Sequence, residues 1–371
     1  MPVINTGLAQ VSNALLFGTV ILYALAMLAY ACDFAFGKAR VMRAAAVAVP
    51  GDSAAVSGAA VAIPEPAVVG AAAGRRAAGA AGGGTITLPT GERDGAAGPG
   101  GGSAGNAASP EPESAWPAGM WLRTAFGLTC VALTLHVLAI LTRGIAEHRV
   151  PWGNMYEFIS AITCMAVIVL VAASIRFRAY YLGLFVLIPV VLALALDLTV
   201  VYTAADDLVP ALQSYWIAIH VTAMIIASGL YIVGAVVTAM YLVADRSERR
   251  VAAGLPSRAS GIVMHLPRPV ILDRLSYRSI LFAFPVWTFG IMAGAIWADS
   301  AWGRYWGWDP KETWSFITWV VYACFLHARA TAGWRGRRAA YIHLLGFSCL
   351  MFNLVGINLW VTGLHSYAGI G

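Results

Sequence analysis

Eight stretches of this chain, roughly 11–36, 122–142, 155–175, 179–201, 215–243, 279–298, 313–328 and 339–363, are long and apolar. A helix crosses the hydrocarbon of a bilayer with about 20 mostly apolar residues. Each stretch is apolar around most of its circumference, as lipid and neighbouring helices together require. Hydrophobic residues make up 60% of the chain and charged residues 11%, against roughly 25% charged in a soluble domain. The sequence therefore predicts an all-α polytopic membrane protein with eight transmembrane helices.

The net charge of +6 follows from topology. With the N-terminus outside, the inner loops hold Lys38, Arg40, Arg43, Arg75, Arg76, Arg93 and Arg123, then Arg176 and Arg178. They also hold Arg246, Arg249, Arg250, Arg258, Arg268, Arg274 and Arg278, and finally Arg329, Arg335, Arg337 and Arg338. Of the 24 basic residues only Arg143, Arg149, Arg304 and Lys311 fall outside. Loops rich in Lys and Arg stay in the cytoplasm, so both termini are expected on the outer side of the cytoplasmic membrane. The basic balance is not a nucleic-acid footprint. All five cysteines lie in or beside apolar stretches and no two form a C-x-x-C pair, so neither a thiol-redox motif nor a zinc site is written.

The first stretch has no basic segment before it and is too long for a signal sequence; residues 1–37 are expected to keep it as a helix. Residues 38–119 change to Ala, Gly, Pro and Ser, as in GAAGPGGGSAGNAASPEPES. Such a chain buries too little to offset its ordering entropy and predicts a disordered cytoplasmic linker. Residues 120–371 then form a seven-helix core.

On the outer side the second stretch emerges as GIAEHRVPWGNMYEF. There Asn154 reads as an N-cap with Glu157 at N3, which satisfies orphan amides without any ligand. His148 reads as a solvated loop residue and His136 as a hydrogen-bonded, bundle-facing one. The fifth stretch opens with Trp216 and His220, one turn apart on one face. Ionisable residues at that depth are costly and tend to be functional, which marks His220 as a candidate.

Between the sixth and seventh stretches runs WGRYWGWDPKETWSFITW, residues 302–319. Trp302, Trp306, Trp308, Trp314 and Trp319 crowd it, interleaved with Arg304, Asp309, Lys311 and Glu312. Asp309-Pro310-Lys311-Glu312 reads as N-cap, N1 proline and N3 acid of the seventh helix. The indoles fit either a platform for a large planar ligand or an interfacial aromatic belt. The topology puts His220 and His365 on the same side as this loop. Two neutral imidazoles across a tryptophan-lined surface make an axial pair for haem iron, with Arg304 and Lys311 as partners for the propionates.

WGRYWGWDPKETW resembles the WWD signature of the haem-handling proteins of cytochrome c maturation, and specifically the CcsA/ResC branch of the system II pathway. PWGNMYEF, LVPALQSYWIAIHV, FLHAR and GINLWVTGLHSY match it too, and the resemblance runs from about Trp121 to Tyr367. It implies that His220 and His365 ligate an outer haem iron. It also implies that His327 ligates an inner one with a partner histidine from a CcsB/ResB-type membrane protein; His343 is the alternative within this chain. The implied cofactor-binding set is His220, His365, His327, Trp302, Trp306, Trp308, Trp314, Arg304, Asp309 and Lys311, with haem b as cargo. The implied activity is haem transport to the outer face and, within a complex, its covalent attachment to a CxxCH apocytochrome c, alongside thiol-disulfide reductant proteins. The alternative is a haem exporter subunit that loads a haem chaperone without covalent chemistry.

Overall fold

A computed structural model of the chain describes residues 4–36, 119–206, 212–256 and 260–365. Residues 38–118 of the expected linker, and the last residues of the GLHSYAGIG ending, lie outside these. Among the described residues every regular element is helical. We label the long helices α1 (Thr6–Phe36), α2 (Met120–Glu147), α3 (Met155–Phe177) and α4 (Gly183–Thr199, after a 3-10 turn Tyr180–Leu182). They continue with α5 (Tyr215–Ala252), α6 (Pro269–Trp302), α7 (Pro310–Ala330) and α8 (Arg337–Met351). A π-helical turn Phe352–Gly356 and a last turn Ile357–Trp360 prolong α8.

Seven of these segments are long and apolar enough to cross a membrane, and α7 is not among them. Its 21 residues span about 32 Å at 1.5 Å per residue, so length is sufficient. Thr313, Ser315, Thr318, His327 and Arg329 dilute its apolar character. Helix α5 reaches 38 residues and α6 reaches 34, well past their apolar stretches. Their Arg-rich ends remain good helix formers although lipid would reject them.

The helices pack in sequence-adjacent pairs: α1 on α2, α5 on α6 and α7 on α8, with α3 bridging α4 and α5. One core joins α1 to α5 through Leu16, Tyr23, Tyr30, Leu122, Leu170, Leu187 and Val237. A second joins α5 to α8 around Tyr231, Trp287, Tyr322, Phe325 and Leu350. His136 is fully buried in the first, with Tyr23 Oη 3.4 Å from Nδ1 and Ser160 Oγ 3.2 Å from Nε2.

Three buried charges, Arg143, Glu147 and Glu157, and the part-buried Arg149 meet where α2 ends and α3 begins. Arg143 lies 2.6 Å from Glu147 and 3.2 Å from Glu157, and Arg149 lies 2.7 and 2.8 Å from the same two carboxylates. Glu157 also accepts from the Gly153 amide at 2.9 Å, and Asn154 caps α3 by accepting from the Glu157 amide. The segment Trp152–Asn154 is thereby fixed as a wall. The sequence revealed the cap but not the quartet, because two arginines and a glutamate near a helix end read equally well as solvated topology signals.

Candidate functional site

Gly303, at φ 68°, ends α6 with its amide on the Asp299 carbonyl, a left-handed cap that glycine adopts without strain. Asp309 starts α7 as N-cap with Glu312 completing the capping box. The intervening turn is tied by its own charges. Glu312 accepts from the Gly307 and Asp309 amides at 2.8 and 3.0 Å, and Arg304 lies 3.8 Å from Glu312 with its guanidinium against Gly307. Trp308 takes φ 59°, rare for a bulky residue, and its indole is turned outward, 64% exposed.

Behind this turn is a cavity that opens to the outside and encloses about 1080 Å³ when that open space is counted. It collects His220 and Met224 from α5, Trp287, Trp297 and Trp302 from α6, Trp152 from the wall, Trp306 from the turn, Lys311 from the start of α7, and His365. Of the residues predicted from sequence, His220, His365, Trp302, Trp306 and Lys311 are brought together here. Arg304, Asp309, Trp308 and Trp314 do not line the cavity. Arg304 is committed to the turn, and Trp314 packs on Phe352 at 4.3 Å between ring centroids.

Both histidines are oriented through Nδ1. His220 Nδ1 donates to the Gly290 carbonyl at 2.7 Å. His365 Nδ1 donates to Asp309 Oδ2, also at 2.7 Å. A carbonyl and a carboxylate only accept, so each neutral ring carries its proton on Nδ1 and its lone pair on Nε2. Metal-binding histidines are commonly fixed in this way. Trp297 stands beside both rings, stacked on His220 at 6.0 Å and edge-on to His365 at 5.7 Å, and Trp302 meets His365 at 5.0 Å. Gly294 permits the close approach of α5, since a Cβ there would lie 2.7 Å from the His220 ring.

Asp309 does two jobs. Besides capping α7 it accepts from the Leu364 amide at 2.7 Å, so it holds the segment after α8 at both Leu364 and His365. Burial pushes its carboxyl up. The hydrogen bonds from His365 and from the Leu364 and Lys311 amides outweigh burial and hold it below the usual carboxylate range. Capping was legible in sequence; the bond to a residue far along the chain was not.

The cavity reaches inward to Ser228, whose hydroxyl is buried without a partner, and to Asn353, whose Nδ2 donates to Ser315 Oγ at 2.9 Å. Asn353 sits on the π-helical turn, and such bulges often mark functional sites. Its only sequence signal is an amide inside an apolar stretch. Trp297 was likewise hidden, indistinguishable from any aromatic at a helix end.

The two histidines expected on the inner side, His327 and His343, do not face each other. His327 is exposed in the last turn of α7. His343 is fully buried, with Thr238 and Ser276 hydroxyls 2.7 and 3.2 Å from Nδ1, and the rings of Tyr322 and Phe325 from α7 pack against it. His327 lies two residues past Phe325, about 200° around the helix, and so points away from His343. Among the described residues no group of three His, Cys, Asp or Glu could hold a bare metal ion.

The family model for the cytochrome C assembly protein matches residues 152–365, which span the wall, the cavity and His365. A cytochrome c biogenesis protein CcsA of Gloeobacter violaceus is 36% identical over 306 residues, covering 67% of this chain and 90% of that protein. The CcsA of Guillardia theta is 35% identical over 258 residues, covering 65% of this chain and 84% of its own length. That of Chlamydomonas reinhardtii is 44% identical over 163 residues, or 44% of this chain and 43% of that one. On these matches the chain belongs to the cytochrome c assembly protein family, as a CcsA-type member of cytochrome c biogenesis.

Proposed function

We propose that the outer cavity holds haem b between His220 and His365 and presents it for covalent attachment to a CxxCH apocytochrome c. The observation that carries this is the pair of Nδ1-anchored imidazoles on one tryptophan-lined cavity. Their Nε2 lone pairs suit axial ligation of iron. Trp297, Trp302 and Trp306 supply flat apolar surface, and Lys311, which lines the cavity, supplies a cation to meet a propionate. The wall Trp152–Asn154 and the Trp-rich turn enclose the site and fix the geometry of approach, and orientation of this kind supplies much of the acceleration.

Each apocytochrome thiol adds across a haem vinyl group. Sulfur bonds to one vinyl carbon, the thiol hydrogen ends on the other, and no net oxidation occurs. The substrate's own histidine then takes the place of His220 or His365 on iron and frees the product. Docking of His365 through Asp309 favours it as the ligand that leaves, because it follows the last helix whereas His220 is built into α5.

Eight crossings with both termini outside fit this reading. Asp309 before α7 meets His365 beyond α8, and at the other end the Trp334 amide bonds the Ala328 carbonyl, so α7 runs the same depth as α8. The first helix would then be joined by the linker 38–119 to the haem-handling core 120–371. The outward placing of His327 favours a ligand from a CcsB/ResB-type partner over His343. Reconstitution of the purified chain with such a partner, reduced haem and an apocytochrome peptide tests the proposal. Thioether-linked product is expected; haem released only as free or chaperone-bound cargo would assign export instead.

A further inference from the structure

Away from the haem cavity, the ends of α5 and α8 and the turn before α8 form an open pocket of about 590 Å³. Arg249, Arg335, Arg337 and Arg338 line it with Trp334 and Tyr341. Arg249 lies 29 residues beyond His220 on α5, about 44 Å at 1.5 Å per residue. A bilayer with its headgroups is about 40–45 Å thick, so the pocket sits at headgroup level on the face opposite the haem cavity.

Its charge is not balanced within the described residues. Asp245 is taken by Arg249 at 2.9 Å and Asp273 by Arg329 at 2.8 Å; among the described residues no carboxylate lies at ion-pair distance from Arg335, Arg337 or Arg338, and Arg337 is held by the Tyr341 hydroxyl with Asp245 as a more distant counter-charge. Arg337 and Arg338 occupy the first turn of α8, which has no acidic residue and no side-chain cap. Cations there oppose the helix dipole, an arrangement that an anion in the pocket would relieve. The Arg338 guanidinium lies 5.7 Å from the Trp334 ring centroid, which restricts it. From the pocket, Tyr341 and Leu345, 55% and 57% exposed, continue one turn apart along one face of α8 into the apolar zone.

We propose that this pocket binds the phosphate of an anionic phospholipid, with an acyl chain lying along Tyr341 and Leu345. A polar pocket opening onto an exposed apolar helix face fits a lipid better than free phosphate. The site is independent of the haem reading.

The full chain, purified and delipidated in detergent, is titrated with phosphatidylglycerol, phosphatidylcholine or inorganic phosphate while thermal unfolding and lipid-bound mass are followed. Phosphatidylglycerol is expected to raise the unfolding temperature and to be retained. Phosphatidylcholine and phosphate should do neither. Gln in place of Arg335, Arg337 and Arg338 together is expected to weaken phosphatidylglycerol binding roughly 100-fold, at about fivefold per charge lost near a membrane surface. Lys at the same three positions keeps the charge and the fold, and should retain salt-sensitive binding. Equal retention of the two lipids, an equal effect of inorganic phosphate, or unchanged binding in the Gln variant would overturn the proposal.

Discussion

Replacing Asp309 by Ser separates the two jobs of this carboxylate. Serine caps helices about as well as aspartate, so α7 should still begin at Pro310. Serine cannot reach Leu364 and His365, whose hydrogen bonds to Asp309 are both 2.7 Å long in a buried setting. A hydrogen bond to a charged group is worth about 1.5–3 kcal/mol. If water replaces one of the two, the docked ending loses about 1.5–3 kcal/mol, or roughly 10- to 150-fold in its docking equilibrium. Hydrogen exchange of the Leu364 amide should accelerate by that factor, and haem should bind more weakly by a similar one, while exchange within α7 stays unchanged. Asp309→Ala removes the cap as well and should cost about 1 kcal/mol more in stability. If Asp309→Ser leaves both Leu364 exchange and haem affinity within twofold of the parent, Asp309 does not position His365.

Other variants probe the surroundings. Gly294→Ala places a methyl 2.7 Å from the His220 ring, and overpacking of this kind costs about 1–3 kcal/mol. It should shift the haem spectrum, whereas Gly290→Ala meets first the flexible Met224 thioether at 3.0 Å and then the Ala223 Cβ at 3.4 Å, and should perturb the spectrum much less. Glu157→Ala leaves Arg143 and Arg149 to share Glu147, so one positive charge goes uncompensated and the cost should fall below the about 3–5 kcal/mol of a fully broken buried pair; the double variant with Arg149→Ala restores one charge of each sign and should recover part of that, as a double-mutant cycle of thermal unfolding would measure. The depressed Asp309 pKa makes docking of His365 dependent on pH. The contribution is fully present above the ordinary carboxylate value of 3.8 and disappears as pH falls through the lower folded value. Leu364 exchange, corrected for its intrinsic rate, should therefore stay flat down to about pH 4 and rise only below it.

Much of the architecture was legible because lipid demands continuous apolar surface, which composition displays directly. The two capping segments were legible because N-cap chemistry is local: Asn154 with Glu157, and Asp309 with Glu312, act within one turn. The ends of α5 and α6 were not, because helix propensity carries a charged segment past the membrane where hydropathy no longer reports it. The quartet of Arg143, Glu147, Arg149 and Glu157 stayed hidden for a related reason, since nothing in the sequence separates a buried ion pair from a solvated one. In the candidate site, His220 and His365 were singled out from the expected topology. Trp297, Asn353 and the Asp309–His365 bond depend on helix packing between distant segments, which no local pattern encodes.

The central claim is that His220 and His365 are the two axial ligands of one haem. The most direct measurement is the absorption spectrum of the chain purified with its partner from a haem-replete host, compared with His220→Ala and His365→Ala. The account predicts a six-coordinate low-spin haem in the parent, and for each variant loss of haem or a high-spin spectrum that added imidazole returns to low spin. An unchanged low-spin spectrum and unchanged haem content in both variants would contradict it.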